Sequence, residues 1–316
     1  AQIEEPIKEK KIQSSIRSLG KISSIISQKV RDQYEKNPYP KWKYIYAKFP
    51  SHFLLKLNNQ IRPNKIKIEN KFNNPNVLIA GCGTGRHICI AKDYLNANIL
   101  GVDLSLSSLA YAKRKTEELG FDNIEYLNAD ILELNKLTRK FDIIECIGVL
   151  HHMKEPLKGL KILLDLLEPH GLLKIGLYSE KARHHISEVK KFIKKNKFKN
   201  IIEDIRKCRE KIFDKKKDKM FEKIINRRDF YSTSSARDLM FHVQEHCFNL
   251  PQLSEIILDF DLEFLGFTNE MIKNKYSKLF PEDKKNILLE NWNHFEISEP
   301  DTFISMYNFW VRKKID

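Results

Sequence analysis

The stretch Asn76-Val-Leu-Ile-Ala-Gly-Cys-Gly-Thr-Gly-Arg86 decides how the rest of this 316-residue chain is interpreted. Its apolar run predicts a buried strand, and the glycines that follow predict a tight turn into a helix from about Arg86. Because glycine has no side chain, the backbone of such a turn can approach a nucleotide-like ligand closely. We therefore expect a ligand site at the carboxyl end of this strand.

Strand and helix patterns continue to alternate after this turn. Further strands are predicted over residues 99–103, 124–128, 141–147 and 172–177, and the helices between them include 107–119 and 157–167. This alternation predicts a parallel sheet with helices on both faces. Right-handed crossovers then bring the carboxyl ends of the strands to one edge of the sheet, where ligands bind.

The composition limits the classes of protein to consider. With 41% hydrophobic residues, the chain has enough apolar side chains for one large α/β domain with insertions or for two smaller domains. No apolar run reaches the ~18 residues that cross a bilayer, and the first twenty residues lack a signal-peptide pattern. Five scattered cysteines argue against a disulfide framework or a zinc ribbon. We expect a cytoplasmic protein without a metal.

The pattern divides the chain into five segments. They are a polar N-terminal extension (1–29), a helical and irregular lid (30–75), the ligand-binding core (76–179), a basic helical cap insertion (180–235) and the C-terminal part of the core sheet (236–316). Pro38 and Pro40 stop the helix that begins the lid. In the last segment we expect a helix over 252–259, a strand over 262–267, a helical stretch over 281–292 and a final strand over 302–313.

Polar residues follow the second, third and fourth strands of the core. Asp103 ends the second strand, where a carboxylate can accept hydrogen bonds from both ribose hydroxyls; alternatively it caps the next helix. Asp130 and Ile131 follow the third strand, where an acid can hold the amine of an adenine and an apolar neighbour can pack on the ring. His151 and His152 follow the fourth strand, where a reaction would take place.

In this order, the motifs resemble the class I S-adenosylmethionine-dependent methyltransferases over residues 76 to 178. The resemblance implies S-adenosylmethionine as the cofactor and a Rossmann-like α/β fold with a seven-stranded, mostly parallel sheet whose last strand is antiparallel. It also implies that the glycine turn approaches the methionine part of the cofactor, the first acid the ribose, and the second acid pair the adenine. The candidate cofactor-binding residues are Tyr34, Gly81, Cys82, Gly83, Gly85, Asp103, Leu104, Asp130, Ile131 and Ile147.

A nicotinamide site is the alternative interpretation of the glycine turn. The third glycine, Gly85, comes one residue early for the G-x-G-x-x-G pattern of such sites, and the later motifs fit a methyl donor better.

A closer resemblance covers nearly the whole chain from Tyr34. The segments that carry it are Tyr34-Glu-Lys-Asn-Pro-Tyr-Pro-Lys-Trp42, Ala80-Gly-Cys-Gly-Thr-Gly85, Asp103-Leu-Ser-Leu-Ser-Ser-Leu-Ala-Tyr-Ala112, Gly148-Val-Leu-His-His152, Ile175-Gly-Leu-Tyr-Ser179 and Phe241-His-Val-Gln-Glu-His246. They look like the bacterial methyltransferases often fused to tetratricopeptide repeats. This sequence contains no such repeat, which fits a stand-alone member or a piece of a longer chain with repeats upstream. The resemblance leaves the methyl acceptor undefined.

The candidate catalytic residues are His151, His152, Tyr231, His242 and Glu245. A histidine beside the donor methyl can act as a general base because imidazole titrates near neutral pH. The alternative is that one histidine has a structural role and the other faces solvent. Tyr231 either orients the acceptor or fills an interface between cap and core.

The segment from His242 to His246 matches the H-x-x-E-H pattern of inverted zinc metallopeptidases. A zinc site needs both histidines on one helical turn. Pro251 and β-prone neighbours argue against a long helix here, so we favour a role for His242, Glu245 or His246 in lining the acceptor pocket. We likewise interpret Cys146, at the position of the nucleophile of RNA cytosine-5 methyltransferases, as a buried strand residue.

Two further classes of function stay open beside methylation of an enclosed small molecule or of a peptide or protein side chain. The formal net charge of +14 and the lysine runs at 190–199 and 215–219 are compatible with an enzyme that modifies RNA or a module that binds it. The second of these classes is a scaffold that binds the cofactor without catalysis. No feature indicates a membrane partner.

Overall fold

The computed structural model describes residues 3–45, 49–67, 72–121, 123–304 and 306–314. Its strands are β1 (Arg17–Ser18), β2 (Asn76–Ala80), β3 (Asn98–Asp103), β4 (Ile124–Asn128), β5 (Phe141–Ile147), β6 (Leu167–Leu177), β7 (Leu262–Phe267) and β8 (Tyr307–Lys313). They form one sheet with the order β1-β4-β3-β2-β5-β6-β8-β7. Strand β8 is antiparallel to β6 and β7, and the other described pairings are parallel.

Helices cover both faces of this sheet. They are α1 (Glu4–Ser15), α2 (Ile25–Lys36), α3 (Phe53–Gln60), α4 (Arg86–Ala91), α5 (Leu106–Glu118), α6 (Pro156–Leu166), α7 (His184–Lys195), α8 (Ile202–Asp214), α9 (Lys219–Ile225), α10 (Thr233–Phe241), α11 (Leu250–Asp259), α12 (Glu270–Leu279) and α13 (Leu289–Ser298). Successive residues of β2 enter different apolar clusters, Leu78 on one face and Ile79 on the other, as the two-residue period of a strand requires. None of the described helices combines the length and hydrophobicity needed to span a bilayer.

The expectation of seven strands was one strand short, because the N-terminal extension adds the two-residue edge strand β1. It pairs with β4 while α1 packs on α5. Arg114 of α5 has a side chain only 2% exposed and forms ion pairs with Glu9 of α1 and with Glu118. This pairing of a buried guanidinium attaches the extension to the core.

Three expected boundaries were also wrong. Strand β6 begins at Leu167, ahead of the predicted 172, because Leu167 already pairs with Phe141 across a β-bulge. Strand β8 begins at Tyr307, after the predicted 302, because Thr302 donates its backbone N–H to Glu299 O in a turn. The helical stretch expected over 281–292 is instead α13, which starts at Leu289.

Two additions enclose the carboxyl edge of the sheet. The cap of the structure consists of helices α7 to α10 and so extends past the expected 235, because α10 joins its apolar cluster, which includes Ile186, Ile205 and Phe241. The lid of the structure consists of α2 and the segment up to residue 45, a shorter segment than the expected 30–75, and packs through Trp42 against Tyr111 of α5. Sheet, lid and cap together surround one cavity.

Candidate functional site

A cavity of about 530 Å³ lies at the carboxyl ends of β2, β3 and β5, between lid and cap. This volume is within the range of small-molecule and cofactor sites. From the core it is lined by Gly81, Cys82, Gly83, Asp103, Leu104, Asp130, Ile131, Ile147 and His152. The lid contributes Tyr34 and Tyr39, and the side towards the cap contributes Tyr178, Arg183, Arg227, Asp229 and Asp238.

The three glycines of the turn serve different purposes. Gly81 and Gly83 line the cavity with φ of +74° and +51°, a left-handed conformation that favours glycine. Gly85 is absent from the lining: a Cβ there would lie 2.7 Å from Ala112 Cβ. Gly85 therefore permits close packing of the turn on α5. Gly81 and Gly83 form part of the cavity wall, and Gly81 also permits the close approach of Val149, since a Cβ there would clash with Val149 Cγ2.

Asp103 is held in place by two backbone donors. Its Oδ2 accepts from Gly83 N at 2.8 Å and its Oδ1 from Ser105 N at 2.9 Å. Burial raises the pKa of Asp103 to about 6, although both backbone N–H groups oppose the rise. Ser105 caps α5 through its hydroxyl. Since each carboxylate oxygen has a second lone pair, Asp103 can still accept two hydroxyl donors from a ligand.

Asp130 follows the neighbouring strand and is 4% exposed. Its Oδ1 accepts from Leu132 N at 3.0 Å, at the start of the short 3₁₀ helix Ile131–Lys136. Within the described ranges, Oδ2 receives no protein donor. The residues thus fit a nucleoside cofactor: two acids with open lone pairs lie one strand apart, the apolar Ile131 lies beside them, and the glycine turn forms part of the wall.

The two histidines after β5 have different environments. His152 lines the cavity, and its Nδ1 lies 2.7 Å from Gln244 O. Because a carbonyl only accepts, Nδ1 carries the hydrogen and Nε2 keeps its lone pair. His151 is fully buried away from the cavity and stacks on Tyr178 with ring centroids 3.7 Å apart. Burial holds the pKa of both histidines well below the usual range, so both rings are neutral.

The H-x-x-E-H segment lies beside the cavity rather than on a helix. Helix α10 ends at Phe241, and His242 stacks on His152 with ring centroids 3.6 Å apart. Glu245 accepts from Arg183 Nε at 2.8 Å and from Lys190 Nζ at 2.9 Å. Its carboxylate is therefore ion-paired with two cations. Across the described residues, no three His, Cys, Asp or Glu side chains are grouped to hold a metal ion.

Four of the residues considered for catalysis or for the acceptor pocket do not contribute to the cavity lining: Tyr231, His242, Glu245 and His246. The Tyr231 side chain is on the surface, and the residue is 58% exposed.

Hydrogen bonds connect the lid to both the core and the cap. Glu35 of α2 accepts from Ser105 Oγ and Ser107 Oγ at the start of α5. Trp42 Nε1 donates to Thr84 O in the glycine turn at 2.9 Å. On the cap side, the hydroxyls of Tyr34 and Tyr39 donate to Asp238 and Asp229, at 2.7 and 3.1 Å. The lid thus closes the cavity with specific polar contacts.

Sequence patterns did not indicate most of the cap side of the cavity, including Arg183, Arg227, Asp229 and Asp238. These residues belong to an insertion in which no local motif distinguishes them from solvated charges. Tyr178 carried a weak signal, since it lies in one of the segments that resemble known methyltransferases.

Comparison with known proteins finds similarity in the central segment of the chain. Residues 71–227 match the family model described as a methyltransferase domain. An uncharacterized protein of Synechococcus, syc1184_c, is 36% identical over 125 residues, or 38% of this chain and 29% of that protein. A ubiquinone biosynthesis O-methyltransferase of Coxiella burnetii is 35% identical over 120 residues, 38% of this chain and 50% of the enzyme. This chain thus matches half or less of these curated relatives.

Among solved structures, PKMT2 from Rickettsia typhi, determined alone and in complex with AdoHcy, has the same fold. The TM-scores are 0.63 and 0.65 at 20% and 18% identity, over 87% and 88% of this chain and 54% and 55% of that protein. The segment 71–227 thus matches a methyltransferase domain, and the chain shares its fold with a protein that has been crystallised with AdoHcy.

Proposed function

We propose that this protein transfers a methyl group from S-adenosylmethionine to an enclosed acceptor, either a small molecule or a side chain of a peptide or protein. The observation that carries this proposal is the continuity of the cavity, which extends from the acids of the sheet, Asp103 and Asp130, to those of the cap, Asp229 and Asp238. Cofactor and acceptor would therefore share one enclosed space.

When bound, the cofactor supplies a methyl group attached to a positively charged sulfur, and a nucleophile displaces this sulfur from the methyl carbon in line. Asp103 would hold the ribose hydroxyls, and Asp130 with Ile131 the adenine. Gly81 and Gly83 leave space for the methionine part. The lid and the cap exclude water and fix the acceptor near the ends of β5 and β6, so that alignment lowers the barrier. His152 offers a neutral ring nitrogen at this end of the cavity.

The test is to incubate the protein with S-adenosylmethionine labelled in its methyl group and with fractionated cell extract. We expect label in the metabolite or protein fraction, and strongly reduced label with Asp103→Asn when the cofactor is not saturating. Calorimetry with S-adenosylhomocysteine runs in parallel. Binding of this product without transfer to any fraction would show a scaffold, and absence of binding by folded protein would contradict the proposal.

A function on RNA is the second candidate, because the lysine-rich helices of the cap belong to a chain with a net charge of +14. In that case label would enter the RNA fraction, and transfer would weaken steeply with salt as phosphate contacts are screened. An enclosed small acceptor predicts transfer that changes little between 50 and 200 mM salt.

A further inference from the structure

Asp238 enters the cavity from α10 without a cationic partner. Its Oδ1 accepts from the hydroxyl of Tyr34 at 2.7 Å, and no Lys, Arg or His in the described part of the chain lies within ion-pair distance. Arg183 lines the same cavity but is bound through Nε and Nη2 to both oxygens of Glu245, at 2.8 and 2.9 Å. Asp238 is thus an acid on the acceptor side whose charge is unbalanced.

The hydroxyl of Tyr34 also lies 3.2 Å from Nε2 of His242, so three titratable side chains form a row. His242 Nδ1 is 2.7 Å from Gln244 O and 3.2 Å from Gln244 N. The shorter contact, to a carbonyl, requires a hydrogen on Nδ1. Burial lowers the pKa of His242 to about 4, so the ring is neutral and Nε2 bears a lone pair.

The hydrogen bonds of this row of side chains depend on whether Asp238 is ionised or protonated. With Asp238 ionised, the single proton of Tyr34 points to Asp238, and Nε2 of His242 faces an oxygen without a hydrogen between them. With one proton added to Asp238, Asp238 donates to Tyr34 and Tyr34 donates to His242. Every polar atom of the row then has a partner, which favours the proton-loaded form.

We propose that Asp238 receives the proton of the methyl acceptor, and that Tyr34 and His242 stabilise Asp238 once it carries this proton. The inference rests on the proposed function. The nucleophilic atom of the acceptor bonds to the methyl carbon, the bond from that carbon to sulfur breaks with its electron pair remaining on sulfur, and the proton of the nucleophile moves to Asp238. The acceptor group is thus one that carries a proton at neutral pH, such as an amine or a hydroxyl.

The surroundings of Asp238 suit a base that works near neutral pH. Burial raises its pKa to about 6, and the charges of Glu245 and Asp229 add to the rise. The hydrogen bond from Tyr34 and the charge of Arg183 act in the opposite direction. Tyr39, whose hydroxyl donates a hydrogen bond to Asp229, also faces Asp238. A base with a pKa just below the working pH is ionised and still accepts a proton readily.

The first test compares Asp238→Asn and Tyr34→Phe with two matched surface controls, Asp214→Asn and Tyr44→Phe. Methyl transfer is measured with labelled cofactor on the extract fraction that wild type labels, and affinity for S-adenosylhomocysteine by calorimetry. We expect Asp238→Asn to lower transfer about 100-fold or more, with affinity within about twofold of wild type, and Tyr34→Phe to lower transfer roughly tenfold. The controls should match wild type.

The dependence of rate on pH separates a base from a structural residue. With the cofactor saturating at every pH, so that titration of Asp103 does not limit binding, the wild-type rate should fall below about pH 6, and Asp238→Asn should abolish that acidic limb. A variant Asp238→Asn that binds the product normally and transfers at the wild-type rate would overturn the inference while leaving the proposed function intact. Absence of transfer by wild type to any fraction would instead overturn the proposed function.

A second measurement needs no acceptor. In protein with ¹⁵N-labelled histidine, NMR should show His242 as the Nδ1–H tautomer at pH 7. Its Nε2 resonance should shift as the pH falls through about 6, because Tyr34 then turns its hydrogen from Asp238 to His242. Asp238→Asn can donate to Tyr34 and should fix the low-pH shift at all pH values. An Nε2–H tautomer, or a resonance indifferent to pH, would contradict the row described here.

Discussion

Asp103 illustrates how a single residue can support a turn and still present open acceptor sites to a cavity. It uses one lone pair of each oxygen to hold the glycine turn and the start of α5, at Gly83 N and Ser105 N, and leaves the others open to the cavity. The role of this residue is predictable from sequence because strand, turn and acid are close in the chain. Asp238 is not, because its function depends on where a separate helix packs.

Asp103→Asn should weaken binding of S-adenosylhomocysteine about 10- to 100-fold. The amide keeps one acceptor but loses the charge, and a hydrogen bond to a charged group contributes about 1.5–3 kcal/mol. Isothermal calorimetry measures the effect, with the exposed Asp165→Asn as the control. Affinities of the two variants within a factor of two would show that Asp103 does not contact the nucleoside.

The affinity of wild type for the same product should fall as the pH drops from 7 to 5. The pKa of Asp103 is raised to about 6 by burial, so its carboxylate is protonated over this range and loses acceptor strength. Because a single proton is involved, linkage limits the loss of affinity to about tenfold per pH unit below that pKa. Calorimetry across this range should show a much smaller dependence in Asp103→Asn, and an equal slope in both proteins would contradict the assignment.

At the scale of elements, the strands and helices of the core were predictable, whereas the lid and the cap were predictable as segments but not in their contacts. The alternation of strands and helices from 76 to 177 follows from apolar patterns that each element carries in its own residues. The lid and the cap are positioned by contacts across long separations, such as Trp42 with Thr84 and Arg183 with Glu245. Such contacts leave no periodic pattern, and the two-residue β1 is too short to give one.

Trp42→Ala should loosen the lid while the core stays folded. Trp42 is 7% exposed, packs on Tyr111 and donates to Thr84 O, so its loss removes the main apolar attachment of this segment. Hydrogen exchange followed by mass spectrometry should show protection over residues 25–45 reduced roughly tenfold or more, with α6 unchanged. Tyr44→Ala, at a side chain 91% exposed, is the control. Equal exchange in the two variants would show that Trp42 does not hold the lid.

Arg183→Met should lower the free energy of unfolding by about 3 kcal/mol, because it leaves the carboxylate of Glu245 buried with Lys190 as its remaining cation. Lys223→Met, which breaks an exposed pair with Asp301, should cost less than ~1 kcal/mol. Urea unfolding monitored by circular dichroism measures both. Similar costs for the two variants would mean that the buried pair does not anchor the cap.

At the scale of the whole molecule, one cavity is assembled from parts that lie far apart in the sequence. The core contributes acids at the ends of β3 and β4, the lid adds two tyrosines, and the cap side adds two arginines and two further acids. The sequence predicts the half that resembles known methyltransferases. The other half, where the acceptor would lie, becomes visible only when the lid and the cap are in place.

The most direct test of this account is a crystal structure of the protein with S-adenosylhomocysteine. We expect the ribose hydroxyls on Asp103, the adenine beside Asp130 and Ile131, and the sulfur directed towards the space between His152 and Asp238. A nucleoside bound elsewhere, with Asp103 and Asp130 both outside contact distance, would contradict the account.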